Sequence, residues 1–215
     1  MAGPTGGIPE KAMTRETPLP EAAGLAAKAV LRAQVRENLK KLGATERAAA
    51  AAAAGERLRG AALWQAARAV LFYAPLPDEL DVWPLVETAL ALGKAVWLPR
   101  FDAAKQQYEV GRVHDLVRDT RVGRYGVREP VGGGPGLNRL DLILVPGVAF
   151  DLDGWRLGRG KGYYDRLLAT IAGPTCGVAF NEQIVKQVPV APHDIRMDWL
   201  LTPTHWQQTR AIRAT

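Results

Sequence analysis

A chain of 215 residues with 47% hydrophobic content carries enough apolar material for one large domain or two small ones, and it should fold on its own. Its 28 Lys+Arg against 22 Asp+Glu give a formal net charge of +6, which favours anionic partners such as phosphates, polycarboxylates, nucleic acid or anionic membrane surfaces without choosing among them. The single cysteine, Cys176, excludes an intrachain disulfide framework and any multi-cysteine zinc site, and it fits a reducing, cytoplasmic setting.

The opening MAGPTGGIPEKAMTRETPLP has four prolines, three glycines and no apolar core segment, so residues 1–20 read as a flexible extension and neither a signal peptide nor an anchor. Residues 21–215 read as one α/β domain. Glu21 to Leu42 has helical periodicity, with Leu25, Ala29, Val30, Leu39 and Leu42 facing Lys28, Arg32, Arg36 and Lys40, and Gly43 as its stop. A second helix follows Thr45, and its alanine run at 48–54 reads as a small-residue packing face. AVLFY at 69–73 reads as a buried strand ending in the turn-rich PLPDE, a helix spans about 82–92 up to Gly93, and KAVWLP at 94–99 is the next strand.

Between Arg100 and Gly136 the pattern loosens, with short strands expected at YEVGRV and a loop at GGGPG, 132–136. LDLILVPG (140–147) is a strand apolar on both faces, YYDRLLATIAG (163–173) a helix, and TCGVAF (175–180) and DWLLT (198–202) are strands. This alternation predicts an α/β three-layer sandwich around a mostly parallel central sheet. No stretch reaches the roughly 18 to 20 apolar residues of a membrane span, so no membrane partner is expected.

RLGRGKGYYDRLL, 156–168, sets Arg156, Arg159 and Lys161 among Gly158, Gly160 and Gly162, between a buried strand and a helix, where open α/β sheets bind their ligands. Glycines there let backbone N–H groups approach an anion, and the helix N-terminus adds roughly half a positive charge. The pattern departs from both the P-loop GxxxxGK[ST] and the dinucleotide GxGxxG spacing. On physics alone it is either a phosphate-binding loop or a solvated basic turn.

The longer stretch VPGVAFDLDGWRLGRGKGYYDRLL, 145–168, resembles the signature of the 5-formyltetrahydrofolate cyclo-ligases, also called methenyltetrahydrofolate synthetases. KAVLR at 28–32, YAPLPDELD at 73–81, YGVREP at 125–130 and FNEQIVKQVPVAPHDIRMD at 180–198 resemble further segments of that family in the same order. The resemblance implies a sheet related to the sugar-phosphate isomerase and CoA-transferase type of fold. It also implies an ATP- and Mg²⁺-dependent ligase that closes 5-formyltetrahydrofolate to 5,10-methenyltetrahydrofolate, with ATP as cosubstrate, small-molecule partners only, no nucleic acid, and a monomer as the default.

Residue by residue, the resemblance implies that Lys28, Arg32, Arg156, Leu157, Gly158, Arg159, Gly160, Lys161, Gly162, Tyr163 and Tyr164 bind ATP. Ala74, Glu79, Arg159, Gly160, Lys161, Gly162 and Tyr163 would line the folate position. Arg159, Lys161 and Tyr163 would be catalytic, and Asp165 and Asp194 would hold the metal. Val82, the 27 residues preceding Lys28, and Lys161 in place of a frequent glycine depart from the pattern without removing a charged group.

Plainer readings exist for single residues. Arg32 with Arg36 fits a solvated helix face, Asp165 a helix-start acid, His193 a capping turn, and Cys176 a small core residue. The tryptophans fit the core, with Trp155 close enough to the loop to touch a ligand. For the whole chain, the competing classes are a basic nucleic-acid or polyanion-binding module, separable by salt-titrated binding, and an ATP-independent enzyme on a related sheet.

Overall fold

The computed structural model describes residues 21–123, 126–133, 137–192 and 194–209. The expected extension at 1–20, His193, and part of the GGGPG loop lie outside the described residues. In chain order the elements are α1 (Glu21–Lys40), α2 (Ala44–Arg59), α3 (Ala62–Ala66), β1 (Ala69–Leu71), α4 (Trp83–Ala91), β2 (Ala95–Asp102), β3 (Gln107–Val113), β4 (Thr120–Val122) and β5 (Arg128–Pro130). They continue with β6 (Leu142–Pro146), β7 (Ala149–Asp151), β8 (Arg156–Leu157), α5 (Tyr163–Leu168), β9 (Thr175–Val178), a 3₁₀ turn (Asn181–Gln183), β10 (Ile184–Val185), β11 (Trp199–Leu201) and β12 (Trp206–Gln208). No helix among the described residues is long and apolar enough to cross a membrane.

The central sheet has the order β12-β11-β9-β6-β1-β2-β3. Its five inner strands pair in parallel, and only the outer β11–β12 and β2–β3 pairs are antiparallel. Side chains alternate across it as the period of a strand requires. Val70, Leu142 and Leu144 enter one apolar cluster together with Val35 and Leu39 of α1, Leu58 of α2, Trp64 of α3 and Val86 of α4. Leu71, Ile143 and Val145 enter the other with Leu167 and Leu168 of α5. A strand buried on both faces must be apolar throughout, which is why LILV carries no polar residue. The result is the expected α/β three-layer arrangement.

Three elements differ from the sequence reading. The helix expected over 163–173 ends at Leu168, because residue 172 is drawn to the chain entering the inner strand β6: Leu140 N–H donates to Ala172 O at 2.9 Å and Ala172 N–H to Asn138 O at 3.0 Å. The strand expected over 140–147 covers Leu142–Pro146, and the apolar residues just after it form a separate strand, β7, which turns back to pair with β8. Together with β10 these make a second, three-stranded sheet, so the basic loop leaves a small hairpin and not the central sheet itself. A further hairpin, β4–β5, forms in the stretch that looked irregular.

β1 has β2 on one side and β6 on the other, so the chain reverses its direction of travel across the sheet there. The loops leaving the carboxyl ends of β1 and β6 therefore diverge and open a crevice, the general ligand position of open α/β sheets. Buried Asp151 braces the hairpin beside it: Oδ1 accepts from Trp155 N–H and Oδ2 from Val188 N–H, both at 3.0 Å. Asp151→Ala leaves two backbone donors without that acceptor and should lower stability by about 3 kcal/mol, read as a drop in the denaturant midpoint. An unchanged midpoint would show that the hairpin holds without its aspartate.

Candidate active site

The crevice holds a cavity of about 420 Å³. Every site residue inferred from the sequence borders it: Lys28 and Arg32 from α1, Ala74 and Glu79 from the loop after β1, the run from Arg156 to Asp165, and Asp194 near the C-terminal end. Sequence reasoning missed Leu25, Leu76, Pro99, Tyr108, Val127, Glu129, Pro146 and Gly147, which also border it. Glu129 lies within the YGVREP motif and Pro146–Gly147 within the long signature, so a signal for them was present without an assigned role.

The cations are held individually. Arg156 is buried, and its Nη2 donates to Asp165 Oδ1 at 2.6 Å while the guanidinium lies 5.8 Å from the Tyr164 ring centroid. This pair ties β8 to the first turn of α5 and sets the span of the loop. Lys28 Nζ donates to Asp194 Oδ2 at 2.6 Å, and the same oxygen accepts Ala191 N–H at 2.7 Å. Arg32 Nε donates to Gly158 O at 2.8 Å, so this arginine joins helix to loop and is not a solvated face; burial, then neighbouring Arg36, lowers its pKa.

Arg159 reaches across the mouth of the cavity to the loop after β1. Nη2 donates to Asp78 Oδ1 at 2.5 Å and to Glu79 Oε1 at 3.1 Å, and Nε reaches Glu79 Oε1 at 3.2 Å. Burial works against the Arg159 charge, and the two carboxylates outweigh it, so its pKa rises. Glu79 also accepts Leu76 N–H at 3.0 Å; burial still raises its carboxyl above the ordinary value. The exposed Lys161 ammonium has no ion-pair partner among the described residues.

Loop conformation follows from its glycines. Gly160 has φ 96° and Gly162, the residue before α5, φ 64°, values that residues with a Cβ rarely adopt. Tyr163 then enters an aromatic group, 5.2 Å from Phe101 and 5.4 Å from Tyr108 between centroids. The Tyr164 ring lies tilted against Tyr108, 5.7 Å between centroids, and its phenol pKa is pushed well up by burial, then by Glu79. Trp155 packs against the core.

Two carboxylates, Asp165 and Asp194, are the candidate metal ligands, and both border the cavity beside a cation. Among the described residues no group of three or more His, Cys, Asp or Glu is placed to hold a metal. Mg²⁺ uses one or two carboxylates plus substrate phosphates and water, so the donor set fits a cation arriving with a phosphate ligand.

Removing Arg156 strands Asp165 and unties the loop. Arg156→Met should cost about 3 kcal/mol of stability, and the double variant Arg156→Met, Asp165→Asn should recover part of it. Strict additivity in chemical denaturation would mean the pair is not coupled.

A model of the 5-formyltetrahydrofolate cyclo-ligase family matches residues 25–203. A 5-formyltetrahydrofolate cyclo-ligase from Mus musculus is 31% identical over 191 residues, covering 81% of this chain and 93% of the relative. One from Mycolicibacterium smegmatis is 36% identical over 161 residues, covering 69% and 81%. The solved 5,10-methenyltetrahydrofolate synthetase of Aquifex aeolicus superposes with a TM-score of 0.77 at 35% identity, covering 87% of this chain and 95% of that one. With the family model spanning most of its length and the fold shared with a solved member, the chain belongs to the 5-formyltetrahydrofolate cyclo-ligase family.

Proposed function

We propose that this chain converts 5-formyltetrahydrofolate and ATP into 5,10-methenyltetrahydrofolate, ADP and phosphate, with Mg²⁺ bound alongside the nucleotide. Residues 21–215 act as one domain, monomeric and cytoplasmic, on small molecules alone, with residues 1–20 as an extension. The observation that carries the reading is the convergence of Lys28, Arg32, Arg156, Arg159 and Lys161 on one cavity in a member of this family.

An N-formyl oxygen is a poor leaving group, so direct closure by the N10 amine is slow. Attack of the formyl oxygen on the γ-phosphorus forms an O–P bond and breaks the bond to the β-phosphate oxygen, releasing ADP. N10 then attacks the activated formyl carbon, the C–O bond to phosphate breaks, and N10 loses its proton. Little covalent work falls to the protein in such transfers; positioning and charge neutralisation do the rest.

In this reading Lys28, Arg32 and Arg156, with the backbone of Leu157, Gly158, Gly160 and Gly162, hold the triphosphate. Arg159 and Lys161 stand at the transferred phosphoryl group. Arg159 is bound by Asp78 and Glu79, so it exchanges at least one carboxylate for phosphate oxygen, which frees Glu79 to accept N–H groups of the folate beside Ala74. Tyr163 and Tyr164 wall the folate and formyl position. Asp165 and Asp194 would hold Mg²⁺, which when bound neutralises charge on the transferring phosphoryl group.

Mixing the protein with MgATP and 5-formyltetrahydrofolate should produce the methenyl chromophore and ADP together; folded protein yielding neither would overturn the reading. Arg159→Ala should cut turnover by about 100- to 1,000-fold with an unchanged circular dichroism spectrum, whereas a near-normal single-turnover rate would remove Arg159 from the mechanism. Asp165→Asn should raise the Mg²⁺ concentration needed for half-maximal rate. A superimposable metal titration would leave Asp165 only as the partner of Arg156.

A further inference from the structure

Four carboxylates border the cavity: Glu79, Glu129, Asp165 and Asp194. Three are matched to cations, Glu79 to Arg159, Asp165 to Arg156 and Asp194 to Lys28. Glu129 is not. It lies on β5, opposite Arg121 of β4, and only 5% of it is exposed, yet its Oε1 has no hydrogen-bond partner among the described residues.

The groups around it do not fill that need. The Phe101 backbone N–H of β2 bonds to the carboxyl group, while Arg121 and Arg100 act on it only at a distance. Arg100 makes its ion pair with Glu109, at 3.4 Å. Burial raises the Glu129 carboxyl above its ordinary value, so ionising it costs more here than in water. The fold nevertheless reserves room for it: a Cβ on Gly123 would fall 2.2 Å from Glu129 Cδ, so a side chain at 123 would displace the carboxyl group. A buried acceptor with a free lone pair, bordering a cavity, is expensive unless a ligand supplies the donor.

The ligand's chemistry follows from the neighbours. Pro99, Tyr108 and Val127 bring apolar surface to the same cavity, which suits a flat ring. The acceptor wants N–H: a triphosphate offers none and carries charge of the same sign, adenine offers only its exocyclic amino group, and a reduced pteridine offers an amino group and two ring N–H groups on one small bicycle. We propose that Glu129 binds the reduced pteridine of the folate by accepting one of its ring or amino N–H groups, a contact that rests on the cyclo-ligase reading of this cavity. Charge then orients the two substrates: phosphates lie among the cations of α1 and the glycine loop, and the pteridine is drawn to the β5 side where an anion is repelled.

The test is Glu129→Gln and Glu129→Ala, with binding of 5-formyltetrahydrofolate measured by calorimetry without nucleotide, and kcat, both KM values and melting temperature measured alongside. In Glu129→Gln the amide oxygen is drawn to Phe101 N–H, which turns the NH₂ toward the ring. Folate Kd and KM should rise about 10- to 100-fold in each variant, with the KM for MgATP within about twofold of wild type and the melting temperature of Glu129→Gln not lowered, whereas Glu129→Ala, which also takes the acceptor from Phe101 N–H, should melt lower while staying folded. Wild-type folate affinity in either folded variant overturns the contact, and so does a fall in kcat with folate Kd unchanged, since either result returns Glu129 to a structural or proton-transfer role. Wild-type turnover alongside undiminished folate binding by the variants would sink this contact alone, whereas a wild-type chain that makes no methenyl product sinks the cyclo-ligase reading and this contact with it.

Discussion

Five cationic side chains share the border of one cavity, and keeping them together without a ligand is the constraint around which the site is built. Two like charges about 4 Å apart repel by about 4 kcal/mol at the effective dielectric of a protein surface, too much for a marginally stable chain to leave uncompensated several times over. The molecule offsets it locally. Arg156 is matched by Asp165, Lys28 by Asp194, and Arg159 by Asp78 and Glu79, while Arg32 is anchored on a backbone carbonyl. Each partner also fixes the direction of its cation, so the side chains are ordered before any ligand arrives.

These pairs differ in depth, and depth sorts their duties. Arg156 has a side chain only 3% exposed and joins two elements of the scaffold, so its charge serves the loop as much as any ligand. Arg159, with a side chain 35% exposed against carboxylates on a neighbouring loop, can change partners at smaller cost because water shares its solvation. Lys161 is exposed. A gradient from locked to free thus runs along six residues of one loop.

The sheet determines where this happens. Because β1 lies between β2 and β6, the loops after β1 and β6 part, and the gap between them receives acids from one loop and cations from beyond the other. The small β7–β8 hairpin, braced by Asp151, carries Arg156 into that gap. Gly160 and Gly162 then reverse the chain into α5 in backbone conformations that a Cβ would oppose.

Much of this was legible in the residues alone. The apolar runs at 69–73 and 140–147, the helical period of 21–42 and the glycine-spaced cations at 156–162 are local patterns, set by the two-residue period of strands, the 3.6-residue period of helices and the steric freedom of glycine, so they can be read without knowing what lies nearby. Partnership is not local. That Arg159 meets Asp78 and Glu79 some eighty positions away, that Lys28 meets Asp194, that the helix beginning at Tyr163 stops at Leu168 because residue 172 bridges to the chain entering β6, and that Glu129, with an unpartnered oxygen, borders the same cavity all depend on which loops the strand order brings together. Sequence periodicity sets the elements because each is stabilised by neighbours three or four positions away; only the packed sheet decides the charge pairs, because a Coulomb interaction depends on distance in space and is indifferent to distance along the chain.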